Sequence, residues 1–256
     1  MTSPTGHTET WVRRYHPASS GAVRLLCLPH AGGSAPYFFP LSRLLSPAVE
    51  ILPIQYPGRQ DRRGDANVPK LTTLADQIFD AVRPLADRQL ALFGHSMGAV
   101  LAYEVTLRLE DAGLPPVRLL ASGRRAPSRY RDERVHQRDD RGVLAELGRL
   151  NGTDSAVVND PELIEMIMPA LRSDYQAIET YRHDPARSVR CPVTVLVGDQ
   201  DPRVSLAEAE AWADHTSADA DLRVFRGGHF YLTERIEEVA AVVSGALLGS
   251  ASVTRD

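Results

Sequence analysis

The segment Gly94-His95-Ser96-Met97-Gly98 has the residue types of a serine nucleophile held in a tight turn. In a Gly-x-Ser-x-Gly turn the serine takes a strained backbone conformation between a strand and a helix. Side chains two positions to either side would collide with neighbouring backbone, which explains both glycines. The apolar run QLALF (89–93) precedes the segment and a helical pattern follows it. The sequence therefore predicts that Ser96 is a nucleophile; the alternative is a glycine-rich turn that happens to contain a serine.

A serine hydroxyl is a poor nucleophile on its own and needs a base with an orienting acid. After a turn of this kind, the chain order is serine, then the acid, then histidine. His229 follows DLRVF (221–225), the last strand-like run, and would lie at the carboxyl edge of a parallel sheet. We expect His229 to be the base, whereas His30 and His95 are placed to shape the site.

The acid should follow the preceding strand-like run, PVTVLV (192–197), where Asp199 and Asp201 are both available. A residue must clear the strand before it can turn toward the histidine. That requirement favours Asp201 as the acid and leaves Asp199 as a turn or capping residue. Aspartates commonly stabilise loop turns, so turn chemistry is the alternative for both.

An acyl-transfer site also needs donors for the developing oxyanion. The first apolar run ends in Pro29-His30-Ala31-Gly32-Gly33-Ser34, whose glycines allow close backbone approach. We expect the N–H groups of Ala31 and Met97 to be the two donors. A glycine-rich turn without this role is the alternative.

Six short apolar runs alternate with helical patterns along the chain. They are nearly all apolar, as expected for strands buried on both faces of a parallel sheet. The predicted strands are 22–28, 49–55, 89–93, 117–122, 192–197 and 221–225, and the predicted helices are 71–83, 98–112, 205–215 and 234–247. This alternation predicts the α/β class with a doubly wound, mostly parallel sheet. We expect an antiparallel edge strand at 11–15, and frayed ends at residues 1–10 and 249–256.

One stretch, 124–190, interrupts the alternation with about 67 residues and no convincing strand. We predict a single domain over 1–256 with a helical lid inserted at 124–190. Within it, Asp160-Pro161-Glu162 has the pattern of a helix start, and Pro169 should kink or end that helix. The alternative is an ordinary surface excursion with one covering helix.

Composition excludes several classes of protein. The 256 residues carry a net charge of −4 from 29 basic and 33 acidic residues, too balanced for a dedicated nucleic-acid binder. No apolar run is long enough to span a membrane, and the polar start lacks a signal peptide. Cys27 and Cys191 suit a reducing compartment and are expected to be buried packing residues. We therefore expect a cytoplasmic protein.

Five segments together resemble the type II thioesterases, the stand-alone editing hydrolases of polyketide and nonribosomal peptide assembly lines. They are LPHAGGSA (28–35), QYPGRQDR (55–62), FGHSMG (93–98), GDQDPRVS (198–205) and GGHFYL (227–232). The match runs from about Arg24 to Leu248. A sixth segment, SGRRAPSRYR (122–131), resembles the polyketide branch more than the peptide branch.

This resemblance implies an α/β-hydrolase fold and an acyl thioester substrate, carried on the phosphopantetheine arm of an acyl carrier protein. The enzyme would clear stalled or misprimed acyl units and would need no metal or diffusible cofactor. We expect a monomer, although the sequence does not determine the oligomeric state. The acyl-chain preference is not determined either.

A local excess of arginine indicates where an acidic carrier protein could dock. The segment 118–141 contains eight arginines and four acids, a balance of +4. The arginines are at 118, 124, 125, 129, 131, 134, 138 and 141. A solvated charged loop is the ordinary explanation of such a run.

Three other functions fit the same residues. A carboxylesterase or lipase acting on small esters would use the same Ser-His-Asp set. A product-releasing thioesterase would as well, although we expect no carrier-protein domain ahead of residue 22. A catalytically inactive, hydrolase-like binding protein is disfavoured because Ser96, Asp201 and His229 are all present.

Overall fold

The computed structural model describes residues 4–150 and 160–249, and a parallel six-stranded sheet lies at its centre. The strands are β1 (Val23–Leu28), β2 (Val49–Pro53), β3 (Leu90–His95), β4 (Arg118–Ser122), β5 (Val193–Gly198) and β6 (Ala220–Phe225). Their order in the sheet is β2-β1-β3-β4-β5-β6, and every neighbouring pair is parallel. All six predicted strands are confirmed, and so is the α/β class.

Helices connect the strands on both sides of the sheet. They are α1 (Pro4–Trp11), α2 (Phe39–Leu45), α3 (Leu71–Val82), α4 (Met97–Asp111), α5 (Asp140–Arg149), α6 (Pro161–Thr180), α7 (Leu206–Glu210), α8 (Tyr231–Glu234) and α9 (Ile236–Leu248). The four predicted helices are present. The third consists of α7 and a following 3-10 turn, Ala211–His215, and the fourth is α9 with the short α8 ahead of it.

Successive residues of the strands face two different core layers. In β1, Leu26 and Leu28 pack in the layer that contains α3 and α4. Leu25 and Cys27 point the other way, into the layer formed with α2 and α9. This is the period-two geometry of a strand covered on both faces. Cys27 and Cys191 are both free and buried, which confirms them as packing residues.

The amino-terminal segment differs from the prediction of a frayed end and an edge strand. Residues Pro4–Trp11 form α1, in which Trp11 is buried and the Thr8 hydroxyl donates to the Ala81 carbonyl at 2.7 Å. The large apolar area of Trp11 favours burial over fraying. Since the helix extends to Trp11, the expected edge strand is reduced to one antiparallel bridge between Val12 and Ile54. Of the expected carboxyl-terminal fraying, only Gly249 lies within the described residues.

In its described parts, 124–150 and 160–190, the insertion between β4 and β5 consists of α5, α6, a 3-10 turn at Val135–Gln137 and loops, with no named strand. The Asp160 carboxylate accepts from the N–H groups of Glu162 and Leu163, so the predicted helix start is confirmed. We expected Pro169 to kink or end the helix; α6 does not end there and continues through the proline to Thr180. Leu171, which follows the proline, is buried in the core of the insertion and holds the helix in place. Its action as a lid stays a prediction.

None of the helices in the described residues is both long and apolar enough to cross a membrane.

Candidate active site

Ser96 occupies a strained turn between β3 and α4. Its φ of 56° and ψ of −117° lie where side chains are disfavoured, and its N–H donates to the Ser122 carbonyl at 2.8 Å. A Cβ atom on Gly94 would lie 2.0 Å from the Gly98 carbonyl oxygen. One on Gly98 would lie 2.0 Å from the Leu28 carbonyl oxygen. The prediction that both positions require glycine is confirmed.

The structure brings His229 and Asp201 together with Ser96. His229 Nε2 lies 3.0 Å from Ser96 Oγ, and His229 Nδ1 lies 2.8 Å from Asp201 Oδ2. A carboxylate only accepts hydrogen bonds, so the Asp201 contact places the proton on Nδ1 and leaves Nε2 free to accept from the serine. The histidine and aspartate side chains are 2% and 0% exposed, which excludes competing water.

Asp199, the other candidate acid, lies in the same loop but makes a different contact. Its carboxylate accepts from the Gly227 N–H at 2.9 Å and so joins the loop after β5 to the loop that carries His229. The two loops pack closely, because a Cβ atom on Gly198 would lie 2.4 Å from the carbonyl oxygens of Gly227 and Gly228. Asp199 therefore links the two loops, while Asp201 contacts the imidazole.

Ala31 and Met97, the expected oxyanion donors, line the same cleft as Ser96. Met97 is the first residue of α4, so its N–H has no acceptor one turn earlier in the helix. The positive end of the helix dipole lies at the same place. That these two N–H groups bind an oxyanion formed on an acyl group attached to Ser96 stays a prediction.

The loop that carries Ala31 is fastened to α6 by residues that the sequence analysis missed. The Asp174 carboxylate accepts from the Gly32 N–H at 2.8 Å and from two nitrogens of Arg59 at 2.6 and 2.9 Å. Arg59 also donates to the Gly33 carbonyl at 3.1 Å. The QYPGRQDR segment, which contains Arg59, was a signal for this contact, because it contributed to the family resemblance. The sequence analysis assigned no structural role to its arginine.

Two further histidines, the buried His95 and the partly buried His30, lie in the site without sharing the hydrogen bonds of His229. His95 Nδ1 lies 2.9 Å from the Ser122 hydroxyl, and its ring centroid is 5.2 Å from that of His229. Burial lowers the pKa of His95 well below its usual value and that of His30 to about 3. Both are therefore neutral at neutral pH, as shaping residues beside a base should be. The described residues contain no group of three His, Cys, Asp or Glu side chains that could hold a metal ion.

A narrow cleft, with a volume of about 30 Å³, lies above Ser96 between the sheet edge and the helices of the insertion. Its apolar walls are formed by Leu147, Leu150, Ile178 and Phe230. Three charged side chains also line it, namely Arg124, Glu133 and Arg203. Arg203 and Glu133 bind each other at 2.7 Å. The walls around the serine are therefore mainly apolar, apart from these three charged side chains.

A parallel sheet of this order, with a strained serine after its central strand and a contacting histidine and aspartate on later loops, defines the α/β-hydrolase fold. A family model for the thioesterase domain matches residues 23–247. The chain belongs to the thioesterase family, and it is accordingly a hydrolase.

Individual relatives indicate which kind of thioesterase the chain is similar to. The chain is 50% identical to thioesterase PikA5 of Streptomyces venezuelae, over 93% of this chain and 85% of that protein. It is 53% identical to a probable cadicidin biosynthesis thioesterase of Streptomyces griseus, over 93% of this chain but 66% of that protein, just under two thirds of its length. The structure of the type II thioesterase BorB, from the borrelidin biosynthetic cluster, matches with a TM-score of 0.87 and 46% identity, covering 93% of this chain and 97% of that one. The resemblance to type II thioesterases is thereby confirmed.

Proposed function

We propose that the protein hydrolyses acyl thioesters on the phosphopantetheine arm of acyl carrier proteins, and so clears stalled or misprimed acyl units from a polyketide or nonribosomal peptide assembly line. The observation that carries the proposal is the contact chain from Ser96 through His229 to Asp201, at 3.0 and 2.8 Å, in the floor of a cleft. The similarity to BorB over nearly the whole chain supports the substrate class.

The first half of the reaction transfers the acyl group to the enzyme. Ser96 Oγ attacks the thioester carbonyl carbon while His229 Nε2 takes the hydroxyl proton. The N–H groups of Ala31 and Met97 stabilise the oxyanion of the tetrahedral intermediate. The carbon–sulfur bond then breaks, and His229 gives its proton to the leaving thiolate.

The second half releases the acid. Water loses a proton to His229 and attacks the acyl-enzyme carbonyl, and Ser96 leaves as its proton returns. Asp201 keeps the imidazole in one tautomer and stabilises its cation in both halves. The products are a carboxylic acid and the free pantetheine thiol. These groups supply a nucleophile, a base and charge stabilisation, so we propose that no metal or diffusible cofactor takes part.

Two helices of the insertion contribute to one wall of the cleft, through Leu147 of α5, Leu150 directly after α5, and Ile178 of α6. We propose that this part of the single domain is the lid that excludes water from the acyl-enzyme. It would limit hydrolysis to acyl chains that fit below it.

The test is a panel of acyl-loaded carrier proteins, from acetyl and propionyl to long acyl, with hydrolysis measured for each. Simple nitrophenyl esters of the same acids and a Ser96→Ala variant serve as controls. We expect Ser96-dependent release that is more efficient from carrier proteins than from nitrophenyl esters. The opposite preference would identify a carboxylesterase, and activity confined to a finished chain would identify a product-releasing enzyme.

A further inference from the structure

Ser122, the last residue of β4, contacts the turn of the nucleophile with both its backbone and its side chain. Its carbonyl accepts the Ser96 N–H at 2.8 Å. Its hydroxyl oxygen lies 2.9 Å from Nδ1 of His95, the residue directly before Ser96. Ser122 is therefore joined at two points to the turn that sets the position of the nucleophile.

The same hydroxyl also contacts the segment that carries the base. Ser122 Oγ lies 2.6 Å from the hydroxyl oxygen of Tyr231, which follows His229 by two residues. A hydroxyl can donate one hydrogen bond and accept another, so Ser122 can bind both neighbours at once. We call the three side chains His95, Ser122 and Tyr231 the hydroxyl bridge.

The hydroxyl bridge is buried and uncharged. The side chains of His95, Ser122 and Tyr231 are all fully buried. Burial lowers the pKa of His95 and raises the pKa of Tyr231, so both groups are neutral at neutral pH. Because water does not reach these atoms, a hydrogen bond lost here leaves polar groups without a partner.

The sheet itself does not join the nucleophile turn directly to the segment of the base. Strand β6, which leads to His229, is separated from β3 by both β4 and β5. Asp201 contacts His229 from the loop after β5. The Tyr231 ring stacks on Phe225 of β6, with 5.0 Å between the ring centroids. The contact between Tyr231 and Ser122 adds a link from the segment of the base to β4, beside the nucleophile.

We propose that Ser122 is a positioning residue, which holds the segment of His229 against the turn of Ser96 through the hydroxyl bridge. It would thereby set the distance across which the serine proton moves, and this distance is 3.0 Å between Ser96 Oγ and His229 Nε2. Proton transfer requires that contact, and a displacement of about 1 Å can cost about 100-fold in rate. The inference rests on the proposed function and adds a residue that acts on it without touching the substrate.

A contribution to the stability of the fold is the ordinary explanation of a buried hydroxyl. That role alone predicts a lower unfolding temperature and unchanged rates in the folded protein. A positioning role predicts a lower kcat with KM nearly unchanged, because the serine–histidine contact is used in the chemical steps and not in substrate binding.

The experiment removes each hydroxyl of the Ser122–Tyr231 contact in turn, with Ser122→Ala and Tyr231→Phe, and then both together. The values of kcat and KM are measured for propionyl-pantetheine. The rate of inactivation is measured with a fluorophosphonate, which forms a bond from phosphorus to Ser96 Oγ and loses fluoride, while His229 takes the hydroxyl proton.

We expect each single variant to lower kcat and the inactivation rate about tenfold or more, with KM nearly unchanged. Since the two substitutions remove the same contact, the double variant should lose little more than the larger single loss. Unfolding temperatures are measured for every variant, so that a loss of stability is separated from a loss of rate.

Two matched controls remove other buried hydroxyls. Ser42→Ala removes a hydroxyl of α2 that lies 3.0 Å from His16 Nδ1. Tyr103→Phe removes a hydroxyl of α4 that donates to the Arg187 carbonyl at 2.8 Å. Both residues are buried. The two controls should leave kcat and the inactivation rate close to the wild-type values, even where they lower the unfolding temperature.

Four results would overturn the inference. Unchanged rates in both Ser122→Ala and Tyr231→Phe mean that the hydroxyl bridge contributes to stability alone. A loss in Ser122→Ala with none in Tyr231→Phe means that the link to the segment of the base has no effect. Losses that multiply in the double variant mean that the two hydroxyls act independently. Equal losses in the two controls mean that any buried hydroxyl has the same effect.

Failure of the proposed function gives a different result. If the fluorophosphonate reacts at Ser96 but the wild-type protein hydrolyses no propionyl-pantetheine, the proposed function fails. The inactivation rates of the variants then decide the role of Ser122 by themselves, because the fluorophosphonate uses the same serine and histidine.

Discussion

Arg59 and Asp174 form a buried, two-pronged ion pair that ties the loop after β2 to helix α6 of the insertion. The pair distances are 2.6 and 2.9 Å, and the side chains are 9% and 3% exposed. Since Asp174 also accepts the Gly32 N–H, the same carboxylate links the insertion to the proposed oxyanion loop. The position of α6 and the geometry of the active site are therefore coupled through one side chain.

Asp174→Asn should lower the stability of the protein and slow its hydrolysis of thioesters. Breaking a buried pair from one side leaves Arg59 charged without its partner, which costs on the order of 3 kcal/mol. The proposed oxyanion loop would also lose its ion-pair anchor, and kcat/KM should fall about tenfold or more. Urea unfolding and thioester hydrolysis measure the two effects. Asp65→Asn, which removes the exposed partner of Arg62, is the control and should change stability by less than about 1 kcal/mol.

Ser96→Ala should remove nearly all turnover and leave the fold intact, because a partly exposed hydroxyl contributes little to packing. A residual rate above about a hundredth of the wild type would point to another nucleophile, as loss of a triad member usually costs many thousandfold. Ser96→Gly should be more stable than Ser96→Ala, since glycine tolerates the φ of 56° at this position. Comparing the thermal unfolding temperatures of the two variants tests whether the backbone at position 96 is strained.

Substitutions of the two aspartates in the loop after β5 should have clearly different effects on the rate of hydrolysis. Asp201→Asn should cut the rate roughly 10⁴-fold, because the amide no longer holds the imidazole in the required tautomer. Asp199→Asn should do much less, since an amide oxygen can still accept the Gly227 N–H. Steady-state kinetics on one acyl thioester ranks them, and the reverse order would refute the assignment of Asp201.

Much of the site could be predicted from the sequence because its residues are set by local geometry. The elbow glycines, the loop positions of Asp201 and His229, and the apolar strands each follow from a short pattern. The Arg59–Asp174 pair joins residues 115 positions apart and has no local pattern. Its existence depends on how the insertion packs, which spacing does not encode.

Helix α1 was mispredicted for a related reason. Its sequence, PTGHTETW, has weak helical character, and its one large apolar residue, Trp11, lies at the very end. Trp11 is buried beneath the guanidinium of Arg62, 4.2 Å from the ring centroid, and this tertiary contact stabilises the segment. Local propensity alone predicts fraying there.

Acid should unfold the protein partly through buried neutral histidines. Burial lowers the pKa of His30 to about 3 and that of His215 to about 4, from an ordinary value of 6.5. Between about pH 6.5 and 4 the unfolded chain binds protons that the folded one excludes, so stability falls as the pH falls. Each such histidine contributes at most about 1.4 kcal/mol per pH unit to the slope, the limit for a difference of one whole proton. His215→Gln should reduce the slope of the free energy of unfolding against pH, measured by urea unfolding at pH 7, 6 and 5. Equal slopes for the variant and the wild type would contradict this.

The arginine-rich segment 118–141 is largely neutralised, which changes how its predicted role in carrier docking must be tested. Five of its arginines lie in ion pairs, namely Arg118, Arg125, Arg131, Arg134 and Arg138. Arg131 binds Glu208 with two nitrogens, so reversing its charge would place two carboxylates together. Arg129 and Arg141 are exposed, with no ion pair recorded in the described parts of the chain.

Reversing Arg129 and Arg141 together to glutamate is therefore the cleaner test of docking. If an acidic carrier protein binds this surface, the apparent KM for acyl carrier protein should rise several-fold, and added salt should shrink the difference because the attraction is long-ranged. Hydrolysis of a small acyl-pantetheine thioester should stay the same, since that substrate bypasses docking. Arg83→Glu controls for net charge. Equal losses on both substrates would mean that the insertion is damaged, and no loss on either would place the docking surface elsewhere.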